Sequence, residues 1–337
     1  MKKRYIITGA NGHLGSTLIR MLAPTGAEIT GLVLPGDSCR NEGSVRYVQG
    51  DVRDIESLRP LFAHSREEEL YVIHTAGIID ISEKETPMLC DVNIHGTENI
   101  LTLSKEYAVK RLVYVSSVHA IAEKDDYAVI TETDQFSPDT VYGAYARTKA
   151  AATQAVLDAG KDGLDVVVIH PSGIIGPYDH SGNHLVQMIT DYLRGVLPAC
   201  VRGGYDFVDV RDVAKGCLLA MEKGKSNNCY ILSNRHYEIR EVLNIVRSMS
   251  QGKKLMVLPM WVAKMFVPAM QWYAKRKKER PLYTKYSLYT LKSNDRFSHD
   301  KATKELGYMP RDLRETIQDT VVWYRAMCQK KARCGAC

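Results

Sequence analysis

The sequence predicts an α/β protein: a doubly wound parallel sheet with a smaller lobe toward its C-terminal end. Three observations predict it. Short apolar runs alternate with helix-patterned stretches over the first 170 residues, a glycine-rich turn follows the first run, and a Tyr-x-x-x-Lys pair opens an alanine-rich helix. Strands that alternate with helices at this spacing form parallel sheets.

Residues 4–8 (RYIIT) read as a short buried strand, and TGANGHLG runs on from Thr8. Leu14, Leu18, Met21 and Leu22 recur at helical spacing behind it, so the glycines stand at a strand-to-helix turn. A helix N-terminus offers free N–H groups and partial positive charge, and residues without Cβ let a pyrophosphate come close. Gly9 then makes the tight turn, Gly12 the close approach and Gly15 the helix-to-sheet contact of a Rossmann-type dinucleotide site. The spacing is GxxGxxG rather than the commoner GxGxxG, and three glycines in seven residues also suit an ordinary loop. Two later stretches decide between these readings.

A second strand at 28–34 ends in Pro35-Gly36, where the adenosine ribose is expected. An acidic residue there favours NAD and an arginine NADP. Asp37 and Arg40 both follow, so cofactor choice stays open. A third strand at 45–48 leads to Gly50-Asp51-Val52, within reach of the adenine. A helix at 57–62 and a fourth strand at 71–74 end in Thr75-Ala76-Gly77, small residues that leave room for a cofactor across the sheet edge. A helix at 93–103 and a fifth strand at 111–115 lead to Ser116-Ser117.

Tyr145 and Lys149 come next, four apart and therefore on one helix face. A phenol has an unperturbed pKa of about 10, too high for ready proton exchange at neutral pH, and a nearby ammonium favours the phenolate. Chance YxxxK pairs are common. In order with a glycine turn and a Ser-Ser at a strand end, this one carries weight. Strands at 166–169 and 229–232 complete the sheet.

Together these motifs resemble the extended short-chain dehydrogenase/reductases of the NAD-dependent epimerase/dehydratase type, nearly end to end. The resemblance implies that Gly9, Gly12 and Gly15 hold the dinucleotide, with Asn11, His13 and Leu14 beside them. It places Asp51 and Val52 at the adenine, Thr75, Ala76 and Gly77 under the cofactor, and Asn93 as the family's helix asparagine. It makes Ser117, Tyr145 and Lys149 the catalytic set, Ser117 rather than Ser116 being the last serine of its run. The proline-led segment beside the nicotinamide corresponds to HPSGIIGP at 170–177, with Pro171, Gly173 and Ile174 at the cofactor. DFVDVRDVAKG at 206–216 matches the segment opening a helix under the substrate lobe, and 289–324 the closing helices. The implied division is a dinucleotide-binding part at 1–170, rejoined by the strand near 228–232, a substrate lobe at 171–227 and 233–330, and a tail at 331–337.

The family acts on nucleotide sugars or on ketones and alcohols of hydrophobic molecules. Val118-His119 stand where sugar 4,6-dehydratases carry Asp-Glu, and Tyr205-Asp206 where epimerases tend to carry an arginine, with Arg194, Arg202 and Arg235 as candidate replacements. HPSGIIGP and DFVDVRDVAKG look closer to the dihydroflavonol reductase and 3β-hydroxysteroid dehydrogenase branch. The expectation is an NAD(P)-dependent oxidoreductase, NAD preferred, interconverting a ketone and a secondary alcohol on a hydrophobic, steroid- or flavonoid-like substrate. His119, Tyr178, His180, Asn183 and His184 are candidate substrate contacts, though each histidine also suits a surface or hydrogen-bonded role. A nucleotide-sugar epimerase is the alternative within enzymes, and a non-catalytic cofactor-binding sensor or scaffold the alternative outside them.

Composition narrows the rest. With Lys+Arg of 45 against Asp+Glu of 39 the net charge is +6, spread along the chain apart from a run at 275–280, which argues against nucleic acid. Eight mostly isolated cysteines and no secretory leader favour reduced thiols in a cytoplasm, and CGAC at 334–337 reads as a frayed tail. No HxH or HExxH spacing points to a metal. The apolar stretch 255–274 is too interrupted to span a membrane. Followed by the basic run to 280, it reads as a core helix beside a solvated face or as a peripheral membrane contact. The stretch could also cover the substrate site. The family resemblance further implies a homodimer through 93–103 and 145–157.

Overall fold

Adjacent residues of each central strand go to opposite layers, the consequence of the period-two pleat, and this fixes what covers the sheet. The computed structural model describes residues 2–39, 41–65, 67–80, 84–125, 128–197, 199–250, 252–277 and 284–333. Its strands are β1 (Lys2–Thr8), β2 (Glu28–Val33), β3 (Val45–Gln49), β4 (Glu68–His74), β5 (Arg111–Val115), β6 (Val166–Pro171), β7 (Gly173–Ile175), β8 (Ala199–Val201), β9 (Gly204–Asp209), β10 (Asn228–Leu232), β11 (Arg235–Glu238) and β12 (Met256–Leu258). Seven of them form one parallel sheet in the order β10-β6-β5-β4-β1-β2-β3.

The helices are α1 (His13–Leu22), α2 (Ile55–Phe62), α3 (Pro87–Cys90), α4 (Gly96–Glu106), α5 (Ala144–Lys161), α6 (His184–Leu193), α7 (Val210–Lys223), α8 (Ile239–Ser250), α9 (Met260–Lys277), α10 (Lys285–Thr290), α11 (Asp300–Leu306) and α12 (Leu313–Arg333). Ile6, Leu112, Val166 and Val168 face a layer made by α2, α4 and α5. Ile7, Val113, Val167 and Ile169 face α1, α7 and α11. Leu18 of α1 and Ile7 are both fully buried there, and a leucine or isoleucine so placed contributes roughly 1.5–3 kcal/mol.

Chain order and sheet order part at the centre, where β1 lies between β2 and β4. Crossovers leave in opposite directions there, so the carboxyl ends of β1, β4 and β5 open a crevice. The helical segment that ends in α4 starts earlier than the sequence predicts. Residues 87–106 are helical throughout, with one π turn at Asp91–His95 that contains Asn93.

The second layer of structure stands over that crevice. A three-stranded sheet in the order β11-β9-β7 packs on α6, α8 and α12, and β12 pairs with β8. Arg211 binds Asp209 at 2.7 Å and Asp319 at 2.6 Å, while Arg311 binds Asp212 at 2.9 Å. This network ties the start of α7 to α12, so the DFVDVRDVAKG segment is a joint between the two layers. Met260, Ala263 and Val267 of α9 pack against Leu288 of α10. Trp261 and Met265 on the same helix are exposed. Among the described residues no helix is long and apolar enough to cross a membrane.

Candidate active site

Backbone geometry makes the first half of the site. Gly9 has φ +65°, and a Cβ on Gly15 would overlap the Gly9 carbonyl oxygen, so both positions require glycine. The Thr8 hydroxyl accepts from the N–H groups of Thr75 and Ala76, each at 3.1 Å, and the Thr75 hydroxyl donates to the Thr8 carbonyl at 2.7 Å. The glycine turn and the Thr75-Ala76-Gly77 strand end are thereby one rigid floor. Asn11 donates to Asp37 at 3.1 Å, which brings a carboxylate from the end of β2 to the turn. Arg40 lies outside the described residues.

His13 and Leu14 are buried at the start of α1. The His13 ring donates through Nε2 to the Pro177 carbonyl at 2.9 Å and meets the Asn183 amide through Nδ1 at 3.2 Å. Asn183 also donates to the Ile174 carbonyl at 2.9 Å, so the 171–183 segment is fastened beside the glycine turn. Asp51 is engaged with Arg53 at 2.6 Å, which holds its carboxyl below the usual range. Buried Val52 packs on Gly96.

Side chains make the second half. Asn93 accepts from the Ile78 N–H at 2.8 Å and donates to the Ile78 carbonyl at 3.0 Å and the Thr148 hydroxyl at 3.1 Å. It thus fixes the loop after β4 to α5, the helix that carries Tyr145 and Lys149. Lys149 donates to the Val115 carbonyl at 2.9 Å and the Tyr114 hydroxyl at 3.3 Å. A Cβ on Gly77 would stand 3.5 Å from its Nζ, so that glycine keeps open the space beside the amine. Ser116 is turned away, bonded to Thr153 at 2.6 Å, whereas Ser117 stands as a hydrogen-bond partner of Tyr145.

The electrostatics differ from the sequence expectation. Burial, which penalises a charged form, pushes the Tyr145 phenol up to about 12 despite the opposing bond from Ser117. The same cause brings the Lys149 amine down to about 7. Desolvation is the leading cause of both shifts. At neutral pH the phenol is protonated and the amine is near half charge.

A wall of aromatic rings faces Tyr145. The His119 ring lies 6.3 Å from that of Tyr145, 5.6 Å from that of Tyr205 and 6.0 Å from that of Tyr286. Its Nε2 is hydrogen-bonded to the Tyr205 hydroxyl at 2.8 Å, and burial lowers its pKa to about 4, so it is neutral. Of the candidate substrate contacts, only His119 sits in this wall. Tyr178 lies under the Arg20 guanidinium of α1, 4.3 Å from its ring centre, and His180 packs on Trp323 of α12 at 5.6 Å. His184 opens α6. Tyr286 escaped the sequence reading, and Tyr205 entered it only as the residue where epimerases tend to carry an arginine, since nothing in their spacing relates them to Tyr145. Among the described residues no cluster of His, Cys, Asp and Glu is placed to hold a metal.

Comparison with known proteins bears on this geometry. The model of the NAD dependent epimerase/dehydratase family matches residues 5–239. The chain is 30% identical to sterol demethylase protein B of Methylococcus capsulatus, over 95% of this chain and 98% of that one. It is 27% identical to a 4-hydroxy-2-methyl-3-oxo-4-farnesyl-3,4-dihydroquinoline-1-oxide ketoreductase of Stigmatella aurantiaca, over 91% and 92% of the two chains. The crystal structure of gox2253 superposes with a TM-score of 0.80 at 30% identity, covering 96% of this chain and 98% of the other.

Proposed function

Because the chain belongs to the NAD dependent epimerase/dehydratase family and is an NAD(P)-dependent oxidoreductase, we propose that it interconverts a ketone and a secondary alcohol on a hydrophobic, ring-bearing substrate. One observation carries the reading: Ser117, Tyr145 and Lys149 converge between the glycine floor and a wall of aromatic rings. Rings suit a flat apolar substrate better than a charged diphosphate. The ketoreductase from Stigmatella and the sterol demethylase protein from Methylococcus, whose names carry a farnesyl-substituted ring system and a sterol, agree with it.

The residues present fit a nicotinamide dinucleotide. Gly9, Gly12 and Gly15 with the α1 N-terminus would take the pyrophosphate, Asp37 the ribose diol, and Lys149 beside Gly77 the nicotinamide ribose. A carboxylate at the diol repels a 2′-phosphate, so NAD is the cofactor we infer. When bound, its C4 supplies or accepts the hydride. In the reductive direction Tyr145 is the proton donor, already protonated because burial holds its pKa high. The Ser117 hydroxyl donates to the substrate oxygen as negative charge grows on it. The Lys149 ammonium favours the phenolate left behind.

The test is a screen of NADH and NADPH against steroid ketones, flavonoid ketones, simple aldehydes and UDP-sugars. Stoichiometric consumption of NADH with a ring ketone is the expected result. Turnover of a UDP-sugar without net cofactor oxidation would overturn it in favour of an epimerase.

A further inference from the structure

Tyr286 is 3% exposed, and its hydroxyl has no hydrogen-bond partner among the described residues. A buried phenol left unpaired is costly, and native structures pair nearly all such groups. The position is nonetheless built with care. Gly143, two residues before Tyr145, has φ +99°, and a Cβ there would overlap the Tyr286 ring. That glycine admits the ring against the very start of α5. Helix α10, which carries Tyr286, begins with a capping box in which Thr284 and Ser287 each bond the other's backbone N–H. It is then fastened down by Tyr289, which donates to Glu123 at 2.6 Å, and by Asn294, which donates to the Ala128 carbonyl at 2.7 Å and the Asp125 carbonyl at 2.9 Å.

The Tyr286 ring shares the His119 imidazole with Tyr145, at centroid distances of 6.0 and 6.3 Å. Tyr205, by contrast, has its hydroxyl satisfied by His119. One phenol in the wall is therefore spoken for and the other is free.

We propose that the Tyr286 hydroxyl hydrogen-bonds a second oxygen of the substrate, so that the enzyme selects cyclic ketones carrying a hydroxyl or carbonyl group near the reacting carbon. This rests on the ketone/alcohol reading above. A site built to bond a substrate oxygen rejects the analogue without it, because the protein group is then left unpaired.

The experiment compares 1-tetralone with 2-hydroxy-1-tetralone, using wild type and Tyr286→Phe, with NADH oxidation and thermal melting as readouts. In wild type the hydroxyketone is expected to have kcat/KM at least about tenfold above the plain ketone. In Tyr286→Phe that ratio falls to near one, because the hydroxyketone loses the bond that set it apart from the plain ketone. Removing an orphaned hydroxyl leaves the melting temperature unchanged or raised. A ratio that is the same in both proteins, or a variant that melts lower and loses both substrates alike, overturns the inference and makes Tyr286 structural. If wild type reduces neither ketone but turns over a UDP-sugar, the ketone/alcohol reading fails, and this inference fails with it.

Discussion

On one side of Tyr145 the surface is backbone, and on the other it is aromatic ring. The glycine turn and Thr75-Ala76-Gly77, held together by the Thr8 hydrogen bonds, present main chain without bulky side chains. His119, Tyr205 and Tyr286 present ring faces brought from the loop after β5, from β9 and from α10. The first surface tolerates almost no change of residue, because a Cβ at Gly15 would meet fixed main chain. The second can be rewritten one side chain at a time while the helices beneath stay put. A common cofactor and a variable substrate need that asymmetry.

Removing the proposed proton donor at the junction should have the largest effect. Tyr145→Phe is expected to lower kcat by about 10²–10⁴-fold in either direction, with dinucleotide affinity by titration calorimetry unchanged. An equal loss of both would make the junction a binding feature rather than a chemical one.

The two glycines sharpen the contrast next. Gly15→Ala should cost roughly 1–3 kcal/mol of stability and abolish most of the melting-temperature increase that NAD produces. Gly143→Ala should cost about the same, through its positive φ and the Tyr286 ring, but leave that increase intact and raise KM for the ketone. Similar ligand profiles for the two variants would erase the distinction between the walls.

A smaller effect is expected from pH. The Lys149 amine, brought down to about 7, is charged below that value and neutral above it, while Tyr145 stays protonated throughout. Ketone reduction should therefore fall as pH rises above about 7, by no more than about tenfold per unit, because the phenolate left by proton donation loses its ammonium. Steady-state rates at saturating cofactor measure it, and a flat profile from pH 6 to 9 would remove the amine from the step.

The sequence made the parallel sheet legible because apolar strands and helical spacing repeat the same local rule, and Ile6 and Ile7 obey it on opposite faces. The glycine turn was legible for a related reason: backbone approach demands a residue type at a fixed spacing. Asn93 and Ser117 were legible only through resemblance. Of the aromatic wall only His119 was legible, because Tyr286 meets Gly143 across 143 residues of chain and no local rule connects them. Tyr178 and His180 stood as candidate substrate contacts, whereas Arg20 of α1 lies over the Tyr178 ring and Trp323 of α12 packs on that of His180. The upward shift of the Tyr145 phenol was also hidden, since burial is a property of the packed molecule.

Hydride exchange across Tyr145 is the central claim, and deuterium transfer tests it most directly. Wild-type protein is given NADH deuterated at C4 on the transferred face together with a ring ketone, and the product is weighed by mass spectrometry. One deuterium on the carbinol carbon is the expected result. An alcohol formed without label from NADH deuterated on either face, or no alcohol from any ring ketone that the protein binds, would contradict it.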